Sequence, residues 1–187
     1  MKAPIPRHHR HPAHSRQRGS IAIEFATTFA LFFVILYAIL AYSLPLLLTL
    51  SFKEVSAAAS RAAIKVDPAL SPADYLTTVS QEVSRVVEAS WLPAQWRNGN
   101  CPPPDQGAWQ PLPASGQASY GHLLRDESQP EDPRYILHVC LQRKYNRNGP
   151  AGERMIIPPL RLLNISIPAL PEEDGETILR GRTVIRL

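Results

Sequence analysis

The chain has 187 residues, of which 44% are hydrophobic and 19% charged, and its formal net charge is +4. The positive charge is local: residues 1–19 hold five of the twenty Lys and Arg residues and no acid, so the rest of the chain has fifteen basic against sixteen acidic residues. This distribution argues against a nucleic-acid-binding surface, and the length allows one modest domain besides a membrane segment.

Residues 1–19 form a basic, proline-containing leader without an apolar run, which is expected to be unstructured on its own. The leader contains His8, His9, His11 and His14, and a local histidine tract of this kind can bind metal. No acid lies nearby to orient the imidazoles. A solvated basic leader is therefore the preferred interpretation, and the sequence predicts no cofactor or metal.

A long apolar segment follows the leader. Thirty residues run from Ile21 to Leu50, and Glu24 is the one charged residue among them. A bilayer core about 30 Å thick needs roughly 20 apolar residues in a helix, so residues 20–50 are predicted to span a membrane. The positive-inside rule places the leader in the cytoplasm and residues 51–187 outside. The run is too long for an ordinary signal peptide, and conventional cleavage near Ala57–Ala59 is the weaker alternative.

The junction between leader and helix, RGSIAIEF, resembles the processing site of type IV prepilins. In that family a membrane peptidase cuts directly after a glycine, and a glutamate is the fifth residue of the mature chain. Gly19 and Glu24 have this spacing, so the resemblance implies a cut between Gly19 and Ser20 and a pairing of Glu24 with the new α-amino group. A carboxylate within a membrane helix is costly and usually has a partner. An interfacial Glu24 that reaches the head groups is the simpler alternative.

With the Ala-rich stretch that follows the apolar run, SFKEVSAAASRAAIKVDP, the junction is similar to the TadE family of minor pilins, or pseudopilins, of tight-adherence (Flp, type IVb) pilus systems. The similarity covers roughly residues 16–66. It implies a single-pass protein of the bacterial inner membrane with its C-terminal domain in the periplasm. Its implied partners are a prepilin peptidase, other pilins and the pilus-assembly platform. Pro45 lies inside the apolar run and predicts a bend near the outer interface.

Two helices are expected outside the membrane. The first is the Ala-rich stretch, whose pairs of small residues permit close packing, either within the domain or against neighbouring subunits. A plain helix of good propensity is an equal alternative, and Asp67-Pro68 ends the helix. The second begins with Ser71 as N-cap and Pro72 as the first helical residue. Its apolar stripe is predicted to contain Leu76, Val79, Val83, Val86, Val87 and Ser90.

Residues 98–133 contain seven prolines and are predicted to be irregular. Cys101 lies in this stretch and is expected to form a disulfide with Cys140, because the compartment beyond the membrane is oxidising. A metal site that uses His138 and Cys140 lacks further ligands at suitable spacing and is the weaker alternative.

Three β-like runs follow, at residues 135–142, 155–167 and 177–187, and residues 171–175 are predicted to form a hairpin turn between the last two. The predicted fold class is α+β. A long N-terminal transmembrane helix continues into a small extracytoplasmic domain that has a second helix and a C-terminal antiparallel sheet.

The sequence contains no catalytic motif, and Asp126, Glu127, Glu131 and Asp132 are interpreted as a solvated acidic surface. The predicted function is non-enzymatic: a minor pilin that assists pilus assembly or adherence. The alternative is an uncleaved single-pass membrane protein with a periplasmic sensor or envelope-assembly domain. A tethered enzyme is least supported, because no reacting group can be nominated.

Overall fold

The computed structural model describes residues 18–114, 118–127, 134–162 and 165–187, except for the side chains of residues 18–20, 162 and 165. The predicted α+β class, with a long apolar helix, a second helix and an antiparallel sheet, is confirmed. Two compact units are distinguished, Met1–Ala38 and Ile39–Leu187.

The first helix, α1, spans Arg18–Ala63 and includes Pro45 within its 46 residues. The apolar segment and the Ala-rich stretch are therefore one helix. It ends a few residues before the predicted Asp67-Pro68 stop, in a turn where the amide of Val66 donates to the carbonyl of Ala63 at 3.1 Å.

The second helix, α2, spans Pro72–Glu88 and begins as predicted. The amide of Asp74 donates to the hydroxyl of Ser71 at 3.2 Å, and Pro72 is the first helical residue. The apolar stripe was only partly right, because Leu76 and Val86 are half-buried while Tyr75 packs fully inward. The buried residues of α2 are Tyr75, Val79, Ser80, Val83, Ser84 and Val87. A 3₁₀ turn at Ala94–Trp96 follows.

Five antiparallel strands form the main sheet, in the order β1-β2-β3-β7-β6. Their bounds are β1 Gln110–Pro111, β2 Gly121–Asp126, β3 Arg134–Lys144, β6 Glu172–Glu173 and β7 Glu176–Arg186. The strands β4 Leu160–Leu162 and β5 Ile165–Ile167 pair separately with each other.

The prediction of an irregular stretch over residues 98–133 was wrong for the short strand β1 and for the six residues Gly121–Asp126. These residues form β2 and pair with β3 over six positions. The sequence GHLLRD has little strand propensity of its own, and the pairing with a long neighbouring strand outweighs that weak local preference.

The run at residues 155–167 is also not one strand, because β4 and β5 fold back on each other within it. The turn at residues 171–175 is present: Asp174 and Gly175 have positive φ angles of 53° and 78° and join two antiparallel strands. The strand before that turn is the short β6, so the predicted partner strand was wrong.

The hydrophobic core lies between the two helices and one face of the sheet. Alternate residues of β3, namely Leu137, Val139 and Leu141, are fully buried in the same cluster as Phe52 of α1 and Val79 of α2. This alternation leaves the next residues of β3, including His138 and Cys140, on the other face of the sheet.

Candidate functional site

The N-terminal part of α1 exposes apolar side chains in every direction. Ile21, Ile23 and Phe25 are each exposed by more than two thirds, and no residue from Ile21 to Leu40 is buried. A helix that is apolar all round is stable only in an apolar environment. A lipid bilayer or the apolar helices of other proteins can provide it.

A ladder of aromatic rings runs along this segment. Phe25, Phe29 and Phe33 are spaced by four residues, and successive ring centroids lie 5.7 Å and 4.6 Å apart. Residues four apart are neighbours on a helix surface, so the three rings make one continuous aromatic strip.

The length of the exposed segment fits a membrane. Among the described residues, one helix near the N-terminus, Ile21–Ala63, is long and apolar enough to cross a bilayer by length and composition. Its first buried residue is Ala41. The twenty residues before Ala41 extend about 30 Å along the helix axis, which is about the thickness of the hydrocarbon core.

Gly19, Ser20 and Glu24 all lie in the first turns of α1. Ser20 and Glu24 are four residues apart and therefore share one face of the helix. The backbone carbonyl of Glu24 accepts a hydrogen bond from the hydroxyl of Thr27 at 2.9 Å. The pairing of the Glu24 carboxylate with an amine at Ser20 stays a prediction. Cleavage after Gly19 stays a prediction.

The disulfide between Cys101 and Cys140 is present, with the two Cα atoms 6.2 Å apart and 39 residues between them in sequence. It fastens residues 101–109, which we call the strap, to the face of the sheet opposite the helices. The sulfur of Cys140 is therefore part of a disulfide bond. The alternative of a metal site that uses His138 and the Cys140 thiolate is wrong. His8, His9, His11 and His14 lie outside the described residues.

Two histidines lie under the strap. His122 and His138 are directly opposite each other on β2 and β3, with ring centroids 5.9 Å apart and nearly parallel planes. The ring of Trp109, from the end of the strap, meets His138 edge-on at 6.1 Å. Only 2% of His138 is exposed.

The histidine pair is held neutral. Within the described part of the chain, neither ring nitrogen of His138 has a hydrogen-bond partner, nor does Nδ1 of His122. Burial, followed by the charges of His122, Arg182 and Arg180, lowers the pKa of His138 from 6.5 to about 4. Burial also lowers the pKa of His122. Protonation in acid would place charge beside buried nitrogens that have no hydrogen-bond partner, so this face is sensitive to acid.

A buried arginine binds a loop on the face of the sheet opposite the histidine pair. The guanidinium of Arg143 lies over the ring of Trp96 at 4.3 Å, and it donates to the carbonyl oxygens of Gly152 at 2.6 Å and Arg154 at 2.9 Å. The sequence did not identify this cluster, because its hydrogen-bond partners are backbone carbonyls, which no residue pattern marks.

The predicted acidic surface is described only in part. Asp126 ends β2, and exposed Glu127 lies 3.7 Å from the Arg125 guanidinium. Glu131 and Asp132 lie outside the described residues. In the described ranges no cluster of three or more His, Cys, Asp or Glu side chains could hold a metal ion.

Comparison with known proteins found no matching family model, curated protein or solved structure.

Proposed function

We propose that this chain is a TadE-like minor pilin, or pseudopilin, of a tight-adherence pilus system, and that a prepilin peptidase cuts it between Gly19 and Ser20. The observation that carries the proposal is the segment Ile21–Leu40, which exposes apolar side chains on all sides over the thickness of a bilayer. It follows directly on a basic leader and a glycine, and Glu24 is the fifth residue after that glycine.

The proposed role is consistent with the energetics of such a helix. A segment that moves from lipid into a bundle of other pilin helices exchanges one apolar environment for another, so the transfer is driven by packing and pairing of polar groups. Glu24 supplies such a polar group: its carboxylate is costly within the bilayer and is compensated by a positively charged amine. Before cleavage, the amine at Ser20 is part of a peptide bond and carries no charge.

The disulfide supports the proposed location of the second unit in the periplasm. Disulfides persist in oxidising compartments such as the periplasm and are rare in the bacterial cytoplasm. The five basic residues before the helix favour a cytoplasmic N-terminus. The chain would thus cross the inner membrane once, and its role in assembly would be structural and not enzymatic.

The proposal is tested by the mature N-terminus. The full-length chain is expressed with and without a type IV prepilin peptidase, extracted from the membrane, and weighed by intact-mass spectrometry. We expect a mass that begins at Ser20 when the peptidase is present, and the full-length mass for Gly19→Ala or without the peptidase. Full-length protein in the presence of an active peptidase would support the alternative, an uncleaved single-pass protein with a periplasmic sensor or envelope-assembly domain.

Glu24→Gln separates processing from assembly. The variant keeps Gly19 and the apolar helix, so we expect normal cleavage and membrane insertion. Loss of the carboxylate should reduce its co-purification with the other pilins and lower pilus yield. Wild-type pilus yield in a fully processed Glu24→Gln strain would contradict the proposed pairing.

A further inference from the structure

The outer edge of β7 is largely unpaired. On one side β7 pairs with β3 over nine residues, and on the other it pairs with β6 at two residues, Glu176 and Thr177. In the described ranges no other strand pairs with β7. Its edge therefore offers unpaired backbone groups from Ile178 to Arg186.

The register shows which residues of β7 direct their backbone N–H and C=O groups away from β3. The amide of Tyr145 donates to the carbonyl of Thr177 at one end of the β3–β7 ladder, and the amide of Leu187 donates to Tyr135 at the other. In an antiparallel pair, the residues that bond the neighbour alternate with those that do not. The odd-numbered residues of β7 thus bond β3, and the even-numbered ones from 178 to 186 direct their N–H and C=O groups outward.

The short strand β6 stops for a simple chemical reason. Its register places Glu173 opposite Glu176 and Glu172 opposite Thr177. If the ladder continued, Pro171 would lie opposite Ile178, and proline has no N–H to donate. The position beside Ile178–Arg186 therefore stays open for a strand from elsewhere.

From position 180 onward, the side chains on the face of β7 opposite the core are basic except for one valine. Arg180, Arg182, Val184 and Arg186 lie on the face opposite the core, where Val184 is 57% exposed and Arg182 and Arg186 are exposed. A carboxylate from a neighbouring strand already binds this row: Nη2 of Arg180 donates to the Glu173 carboxylate of β6 at 3.0 Å. This contact shows that an arginine of this row can pair with an acid on a neighbouring strand.

We propose that the edge of β7 from Arg182 to Arg186 binds an extended segment of a second protein whose residues follow the order acid, any, apolar, any, acid. Such a segment adds as a sixth strand next to β7, and its backbone bonds the outward N–H and C=O groups. Because side chains alternate along a strand, the first, third and fifth residues of the added segment lie on the face of the sheet opposite the core. The two acids then face Arg182 and Arg186, and the apolar residue lies beside Val184.

The occupant is another protein and not a second copy of this chain. In the sequence, acids four residues apart occur at Glu127 and Glu131 and at Glu172 and Glu176, and the central residues, Gln129 and Asp174, are not apolar. Two copies that paired antiparallel about Val184 would place the Arg182 of each against the Arg186 of the other. Like charges directly opposite are destabilising, and charged edge residues oppose such self-pairing.

The proposal is independent of cleavage after Gly19 and is tested on the full chain in detergent micelles. The probe is a fluorescent peptide that contains the order Glu, Thr, Val, Thr, Glu, with threonine on either side. We expect saturable binding that weakens as salt increases. A peptide of the same composition with adjacent glutamates, and one with lysines in place of glutamates, should bind at least tenfold more weakly. Absent saturable binding, or equal binding of the rearranged peptide, would overturn the proposal.

Two sets of variants locate the binding. Arg182→Glu with Arg186→Glu changes two exposed side chains and should weaken binding at least tenfold while leaving Tm nearly unchanged. Val184→Pro removes an N–H that does not bond β3 and should abolish binding, whereas Val184→Thr keeps the N–H and should reduce it only slightly. Undiminished binding in the double arginine variant would overturn the site even if Val184→Pro failed to fold.

Discussion

The hydroxyl of Ser56 on α1 donates a hydrogen bond of 3.1 Å to the backbone oxygen of Gly181 on β7, and both residues are buried. The two backbones come unusually close here, since a Cβ on Gly181 would collide with the backbone of Phe52 and Lys53. Ala59 and Ser60 are buried on the same helix. This part of the small-residue face of α1 therefore packs within its own domain, one of the alternatives that the sequence left open.

Gly181→Ala should strongly destabilise the second unit. The added methyl group meets helix backbone that cannot move aside, and overpacking of this kind costs about 3 kcal/mol or more. Gly175→Ala is the matched control: nothing lies within 4 Å of the new Cβ, but φ is +78°, so we expect a loss of about 1 kcal/mol. Denaturant unfolding of both variants in detergent, followed by near-UV circular dichroism, checks this. Equal losses of stability in the two variants would contradict the close approach of α1 to the backbone of Gly181.

Removal of the disulfide should lower the free energy of unfolding by about 3–4 kcal/mol in the chain-entropy model, because the bond closes a loop of about 40 residues. The variant carries Cys101→Ser and Cys140→Ser. Addition of a reducing agent is the control: it should bring the wild-type chain to the stability of the variant and leave the variant unchanged. If the fully reduced wild-type chain stayed more stable than the variant, the serine substitutions would destabilise the chain by some effect other than loss of the disulfide.

Stability should decrease in acid through His138. Its pKa is lowered from 6.5 to about 4 in the folded chain, so between these values the unfolded chain binds more protons. The stabilisation is complete above about pH 6.5 and is lost as pH falls toward 4, by up to about 3 kcal/mol.

His138→Phe removes the titrating ring and should flatten this part of the stability–pH profile. The histidine opposite it provides a comparison: His122→Phe leaves His138 in place, so part of the acid sensitivity should persist. Denaturant unfolding at intervals from pH 4 to pH 7.5 measures both. If the free energy of unfolding of His138→Phe fell with pH as steeply as that of the wild-type chain, His138 would not be the cause of the acid sensitivity.

Arg143→Lys should destabilise the domain although it keeps the positive charge. A lysine ammonium cannot reproduce the planar geometry with which the guanidinium reaches Gly152 and Arg154 and stacks on Trp96. We expect a loss of about 2 kcal/mol and faster amide exchange of residues 150–155. Arg147→Lys, on an exposed arginine nearby, should change stability by less than about 0.5 kcal/mol. Similar effects of the two substitutions would contradict the role of Arg143.

The features predicted correctly from the sequence are those with local causes. A run of thirty residues with one charge specifies the apolar helix, and a serine followed by proline specifies the start of α2. The β-branched residues of β3 and β7 mark them as strands, and a chain with two cysteines has one possible intramolecular disulfide pairing. Each of these signals lies within a few residues or follows from the number of cysteines.

The tertiary structure alone decided the features that depend on distant residues. Gly121–Asp126 becomes a strand because β3 lies beside it, and His122 meets His138 because of that register. The packing of α1 requires the bare backbone of Gly181, 125 residues after Ser56. The edge of β7 is open because, in the described ranges, only the two-residue strand β6 pairs with it on the side away from β3. Strand pairing and helix–sheet contact join residues far apart in the chain, so no local pattern specifies them.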